Sequence, residues 1–134
     1  MSHQTLLSQP RHDVRFLYDL KTPMRDGVKL SADVFLPQGG GAFPTIFLRT
    51  PYESLLQMHI EWAVWWAKRG YAVVIQDCRG RFESEGVFYP YHDDGQDGHA
   101  TLAWIADQPW CNGKIGTSGR SYGGIVQWQL APYR

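Results

Sequence analysis

The stretch YAVVIQ, from Tyr71 to Gln76, constrains the architecture of this 134-residue chain more than any other feature. Its apolar and β-branched residues occupy both alternating sets of side-chain positions, so a strand built from it has no face to offer water. Both faces must be covered, as in a parallel sheet layered between helices. The surrounding sequence supplies the covers. A helical stretch at about 53–69 carries Leu56, Ile60 and Val64 at spacings of four and closes on Lys68-Arg69-Gly70, cations followed by a glycine stop. A second helix, capped by Asp93 or Asp94, runs to about Ala106. PTIFLRT provides a strand at 45–48 and KIGTSG one near 115–118, after which a last helix begins that Pro132 interrupts.

Upstream, alternating segments at about 14–21 and 28–36 flank Asp26-Gly27, a hairpin turn signal because glycine supplies the positive φ such turns need. Gly39 to Gly41 then form a flexible loop. The expected fold class is α/β: a leading β-hairpin, then parallel βαβ units. Residues 1–12 read as a flexible tail and 13–134 as one domain, with no repeat or linker.

Thirteen basic residues balance thirteen acidic ones, and 43% of residues are hydrophobic. This is a globular composition, without the charge excess of a broad nucleic-acid or anionic-membrane surface. The N-terminus lacks an apolar signal core, and no apolar run approaches bilayer length. Cys78 and Cys111 follow no metal-binding spacing, so reduced thiols and a cytoplasmic location are expected.

GRSYGG, residues 119–124, has the form Gly-x-Ser-x-Gly between an expected strand and an expected helix. That is the setting of a nucleophile elbow, a strained turn that thrusts a serine hydroxyl into a cleft. The pentapeptide alone arises by chance in roughly one chain in twenty of this length. A glycine-rich turn with an idle serine therefore stands beside the catalytic reading.

Four ordered blocks carry a resemblance that runs from about Val14 to Leu130. They are MRDGVKLSADVFLP, RTPY, QDCRGRFESEG and WIADQPWCNGKIGTSGRSYGG. In these the chain resembles the CocE/NonD serine hydrolases: cocaine-esterase-like, X-Pro dipeptidyl-peptidase-like and α-amino-acid ester hydrolase-like enzymes. Phe82 stands where many members have glycine. The resemblance implies the N-terminal portion of an α/β-hydrolase fold, incomplete and ending just after the nucleophile elbow. It implies Ser121 as nucleophile, the Tyr52 hydroxyl in an oxyanion hole, and the Tyr122 backbone N–H as the second donor. Without the resemblance, Tyr52 reads as ordinary packing after a proline. The implied substrates are small esters, amides or X-Pro peptides, with no metal or organic cofactor.

A serine nucleophile needs a histidine base held by a carboxylate, and in this fold both follow the serine along the chain. All five histidines (3, 12, 59, 92 and 99) precede Ser121, and no Asp, Glu or His follows it. His59 and His99 fall in or beside expected helices with no evident route to the serine. The 134-residue chain is therefore expected to be nearly inactive alone. The rival expectation is a shortened, non-catalytic hydrolase that self-associates through an exposed sheet edge at its last strand. Asp77 and Arg79 suit a structural ion pair or turn clamp. His92, Asp93, Asp94, Asp97 and His99 cluster temptingly but lack an EF-hand or HExxH order, and a capped helix start explains them. Trp62, Trp65 and Trp66 read as core or interface.

Overall fold

The computed structural model describes residues 8–133. Residues 1–7 of the expected tail lie outside them; residues 8–13 form neither helix nor strand, and the N–H groups of Arg11 and His12 both donate to the Lys68 carbonyl.

Eight elements follow in order: β1 (Val14–Pro23), β2 (Lys29–Pro37), β3 (Phe43–Thr50), α1 (Gln57–Ala67), β4 (Ala72–Asp77), α2 (Asp94–Ala106), β5 (Cys111–Thr117) and α3 (Tyr122–Leu130). The five strands make one sheet in the order β1-β2-β4-β3-β5. The hairpin strands are antiparallel, β2 meets β4 antiparallel, and β3 is parallel to both β4 and β5. β1 and β5 are the two edge strands, and most residues of β5 are exposed.

The sheet is covered on both faces because its central strands are apolar in both alternating sets. Val74, Phe47, Ala32 and Val34 face one way and pack with Ile105 of α2 and Trp110. Val73, Ile75, Leu48 and Phe35 face the other way and pack with Ala63 and Ala67 of α1. These two small alanines let α1 lie close to the sheet. Trp62 and Trp66 join that cluster, whereas Trp65 is turned outward with the Arg69 guanidinium 3.8 Å above its ring.

Polar residues take over toward the carboxyl ends of β3 and β4. Buried Gln76 donates to Thr22 Oγ1 at 2.8 Å and to Thr101 Oγ1 at 2.9 Å, and accepts from Arg49 Nε at 2.8 Å. Arg49 Nη1 continues to the Asp94 carbonyl at 2.9 Å. This network ties the hairpin, the central strands and the start of α2 together just below the loops where α/β clefts form.

Two expectations are corrected. α1 starts at Gln57 rather than near residue 53, because Glu53 has φ 78° and the Ser54 N–H is held by the Asp77 carboxylate at 2.8 Å. The positive φ at Glu53 is not helical backbone, and the bond to Asp77 fixes Ser54 in the loop ahead of the helix. At α2, Asp93 occupies the capping position with no side-chain cap bond. The Asp94 carboxylate is instead taken by Arg49 and the Tyr122 hydroxyl, and Asp93 meets His92. No helix among the described residues is long and apolar enough to cross a membrane.

Candidate functional site

Ser121 sits at the junction of β5 and α3 with φ 59° and ψ −124°. A non-glycine residue with positive φ stores strain, of order 1–3 kcal/mol, that the surrounding structure must hold in place. The flanking glycines show how it is held. A Cβ at Gly119 would lie 2.5 Å from the Gly123 carbonyl oxygen, and one at Gly123 would lie 3.2 Å from the Arg49 carbonyl oxygen. The turn therefore folds back on α3, and α3 presses on the end of β3. The Ser121 side chain points into no capping bond, and the residue is exposed.

Tyr52 lies on the loop that leaves β3, its N–H donating to Thr50 Oγ1 at 3.0 Å and its side chain half exposed. Tyr52 and Ser121 line one cavity of about 660 Å³. The remaining walls include Leu48, Leu56, Met58 and Trp62, largely apolar, and His59. Residues 69 positions apart in sequence are thus brought to one cleft at the carboxyl ends of the parallel strands.

Tyr122 divides its two roles between backbone and ring. Its N–H is the first of α3 and bonds to no described residue, whereas the N–H groups of Gly123, Gly124 and Ile125 turn back to Arg120 and Ser121. Its ring is buried, its hydroxyl donating to Asp94 Oδ2 at 2.5 Å and accepting the Tyr91 N–H at 3.1 Å. Burial, with the Asp94 carboxylate beside it, pushes this phenol well above its ordinary pKa, so it stays protonated.

Beneath Tyr52 lies a polar knot that has no motif in the sequence. Ser54 Oγ donates to Asp33 Oδ2 at 2.5 Å and lies 3.4 Å from Asp77 Oδ2. Both carboxylates are buried. Burial, opposed by the Ser54 N–H and aided by the Asp33 charge, lifts the Asp77 pKa to about 6. Arg79 does not pair with Asp77. It forks onto Asp97 at 2.7 and 2.9 Å and reaches Asp26 at 2.8 Å, clamping the hairpin turn to α2, and these bonds raise its pKa further.

The acidic and histidine cluster is dispersed among these tasks: Asp94 holds Tyr122 and Arg49, Asp97 holds Arg79, Asp93 meets His92, and His99 lies against the Tyr133 ring at 6.1 Å. Among the described residues no group of three His, Cys, Asp or Glu could hold a metal ion. Cys78 is buried, and burial pushes its thiol up to about 12, which makes it a poor nucleophile.

Sequence reasoning missed His59 and Trp62 as cleft residues. His59 was expected to have no route to Ser121, yet it lines the same cavity. Its Nδ1 is 2.8 Å from the Glu53 carbonyl, and no hydrogen bond joins it to Ser121. No local signal marks them: the loop from Pro51 to Leu56, anchored at Ser54 by the distant Asp77 carboxylate, delivers the first turn of α1 to the cleft.

A family model described as X-Pro dipeptidyl-peptidase (S15 family) matches residues 26–134. The cocaine esterase of Rhodococcus sp. strain MB1 Bresler is 44% identical over 117 residues, covering 84% of this chain and 20% of the esterase. A putative serine esterase of Mycobacterium bovis is 35% identical over 124 residues, covering 75% of this chain and 20% of that protein. Among solved structures, a CocE/NonD family hydrolase from Staphylococcus aureus has a TM-score of 0.79 at 30% identity, covering 87% of this chain and 24% of that one. An α-amino acid ester hydrolase has a TM-score of 0.77 at 27% identity, covering 95% and 24%. The chain thus spans about a fifth of the length of the curated relatives it matches.

Proposed function

The chain belongs to the X-Pro dipeptidyl-peptidase (S15) family, and from that membership we propose that Ser121 is the nucleophile of an acyl-transfer hydrolase acting on esters, amides or X-Pro peptides. The observation that carries the reading is Ser121 at φ 59° between β5 and α3, in one cavity with Tyr52. In the proposed reaction the Ser121 oxygen attacks the substrate carbonyl. The carbonyl oxygen takes up negative charge, which the Tyr52 hydroxyl and the Tyr122 N–H stabilise by hydrogen bonds. The tetrahedral intermediate collapses, expelling the alcohol or amine and leaving an acyl-enzyme that water hydrolyses. The phenol suits this task because it donates one directed bond while remaining neutral.

The proton from Ser121 needs a base. No carboxylate or imidazole among the described residues hydrogen-bonds Ser121, and residues 122–134 contain no Asp, Glu or His. The reading therefore takes the histidine and its carboxylate from outside these 134 residues. The isolated chain is accordingly proposed to turn over little or nothing.

The test uses p-nitrophenyl acetate with the gene product that contains these residues. Ser121→Ala is expected to lower kcat by about 10⁴-fold or more. Tyr52→Phe is expected to lower it by about 10²–10³-fold with little change in KM. Equal activity in Ser121→Ala would overturn the assignment. Serine-dependent turnover by the 134-residue chain alone would overturn the external base. Rates on an aromatic ester against an X-Pro anilide separate esterase from peptidase.

The exposed edge of β5 favours a second reading, self-association of a non-catalytic chain by strand pairing. Sedimentation across a concentration series distinguishes the two: a monomer excludes the edge-paired form.

A further inference from the structure

Tyr52 borders two cavities. Besides the one it shares with Ser121, it lines a recess of about 300 Å³ with Arg81, Phe88, Tyr91 and Tyr122. The aromatic walls are fixed against one another. The Tyr91 and Tyr122 rings stack with centroids 4.8 Å apart and planes 19° from parallel, and Phe88 lies 6.0 Å from Tyr122. The stack is anchored below by the Tyr122 hydroxyl on Asp94 and by the Tyr91 N–H on that hydroxyl.

Arg81 supplies the recess with its charge. Its backbone is held in a turn, its N–H on the Cys78 carbonyl and its own carbonyl taking the Ser84 N–H. Its Nε donates to the Pro51 carbonyl at 3.1 Å, one residue before Tyr52. The guanidinium carbon lies 5.3 Å from the Phe88 ring centroid and 5.1 Å from that of Phe82. Arg81 is half buried and makes no ion pair among the described residues, whereas Arg49 and Arg79 are each met by carboxylates. Asp94, behind the Tyr122 wall, is already occupied by Arg49 and the Tyr122 hydroxyl. The recess thus combines flat aromatic surface with a positioned cation whose two terminal nitrogens have no carboxylate.

We infer that this recess is a subsite for an aryl carboxylate, the ring lying against Phe88, Tyr91 and Tyr122 and the carboxylate on the Arg81 guanidinium. Two terminal N–H donors in one plane match the two oxygens of a carboxylate, and ring stacking supplies the apolar part of the affinity. The inference rests on the proposed function for its consequence: the hydrolase would favour esters or amides in which one half carries an aromatic ring with a free carboxylate.

The test compares phenylacetate with its neutral isostere phenylacetamide, each titrated into the folded 134-residue chain and followed by NMR chemical-shift changes. Phenylacetate is expected to bind at least about tenfold more tightly, the share of one charge-assisted hydrogen-bonding pair. Arg81→Gln is expected to erase that preference while leaving phenylacetamide binding in place. Should Arg81→Gln fail to fold, added salt on the unsubstituted chain serves instead, weakening phenylacetate and sparing phenylacetamide. Equal binding of the two probes, or a preference untouched by both the substitution and salt, overturns the subsite. The p-nitrophenyl acetate experiment reports separately on Ser121. An inert serine with an intact phenylacetate preference sinks the hydrolase reading and leaves the subsite standing.

Discussion

The Asp77 carboxylate accepts the backbone N–H of Ser54 at 2.8 Å, two residues beyond Tyr52, and so fixes the loop that presents the phenol to the cleft. The Ser54 hydroxyl has one proton and two carboxylate neighbours, Asp33 at 2.5 Å and Asp77 at 3.4 Å. A proton on Asp77 completes the chain, Asp77 donating to Ser54 and Ser54 to Asp33. The Asp77 pKa, lifted by burial to about 6 from 3.8, fits that arrangement. The folded state then holds a proton that the unfolded state releases between those values, so this group gains stability as pH falls through the window and loses it as pH rises. Asp77→Asn keeps an acceptor and a donor but cannot titrate. The melting temperature of the parent relative to Asp77→Asn is expected to improve from about pH 7 to about pH 5. A difference flat across that range would refute it.

Gly119 and Gly123, the two glycines of the serine motif, are in backbone contact. Alanine at Gly119 would place its Cβ 2.5 Å from the Gly123 carbonyl oxygen at a φ of 153°, so backbone must move. A loss of about 1–3 kcal/mol is expected for Gly119→Ala. Gly123→Ala meets the Arg49 carbonyl oxygen at 3.2 Å, a milder approach, and should cost less. Urea unfolding of both variants measures the order; the reverse ranking would contradict the packing.

The sheet and its covering helices were legible because β3 and β4 are apolar on both faces, a pattern that only layered helices satisfy. Ser121 and Tyr52 were legible because motif blocks placed them at the carboxyl ends of neighbouring strands. The cleft's other walls were not. Where α1 begins depends on Asp77 holding Ser54, a contact across 23 residues, and that start is what carries His59 and Trp62 to Ser121. The capping role expected of Asp93 or Asp94 failed because Arg49 and Tyr122, 45 and 28 residues away, claim the Asp94 carboxylate. The Arg81 recess likewise joins two loops and α3, and no periodicity or spacing records such a meeting.

Arg49 is 4% exposed and bonds to Gln76 and Asp94. Removing one partner of a buried pair strands the other charge, so Arg49→Met is expected to cost about 3–5 kcal/mol. Adding Asp94→Asn removes the stranded charge and should restore part of the loss. Urea midpoints of the two variants test this. A double variant no better than the single one would show that packing, not charge, dominates at Arg49.

Ser121 occupies a backbone conformation that glycine adopts without strain. Ser121→Gly releases the strain of a side chain at φ 59°, of order 1–3 kcal/mol, while adding glycine's larger entropy in the unfolded chain, about 0.5–1 kcal/mol. The net expectation is a gain of about 1 kcal/mol. Ser121→Ala keeps a Cβ at the same φ, so it should stay near the parent. Both substitutions delete the hydroxyl, which separates strain from chemistry: they are expected to be equally inactive and unequally stable. The Gly119–Gly123 contact and the pressure of α3 on the end of β3 are what hold the serine in place against its own preference. If urea unfolding ranks Ser121→Gly level with or below Ser121→Ala, the turn is relaxed, and another feature must explain why a serine stands at this bend.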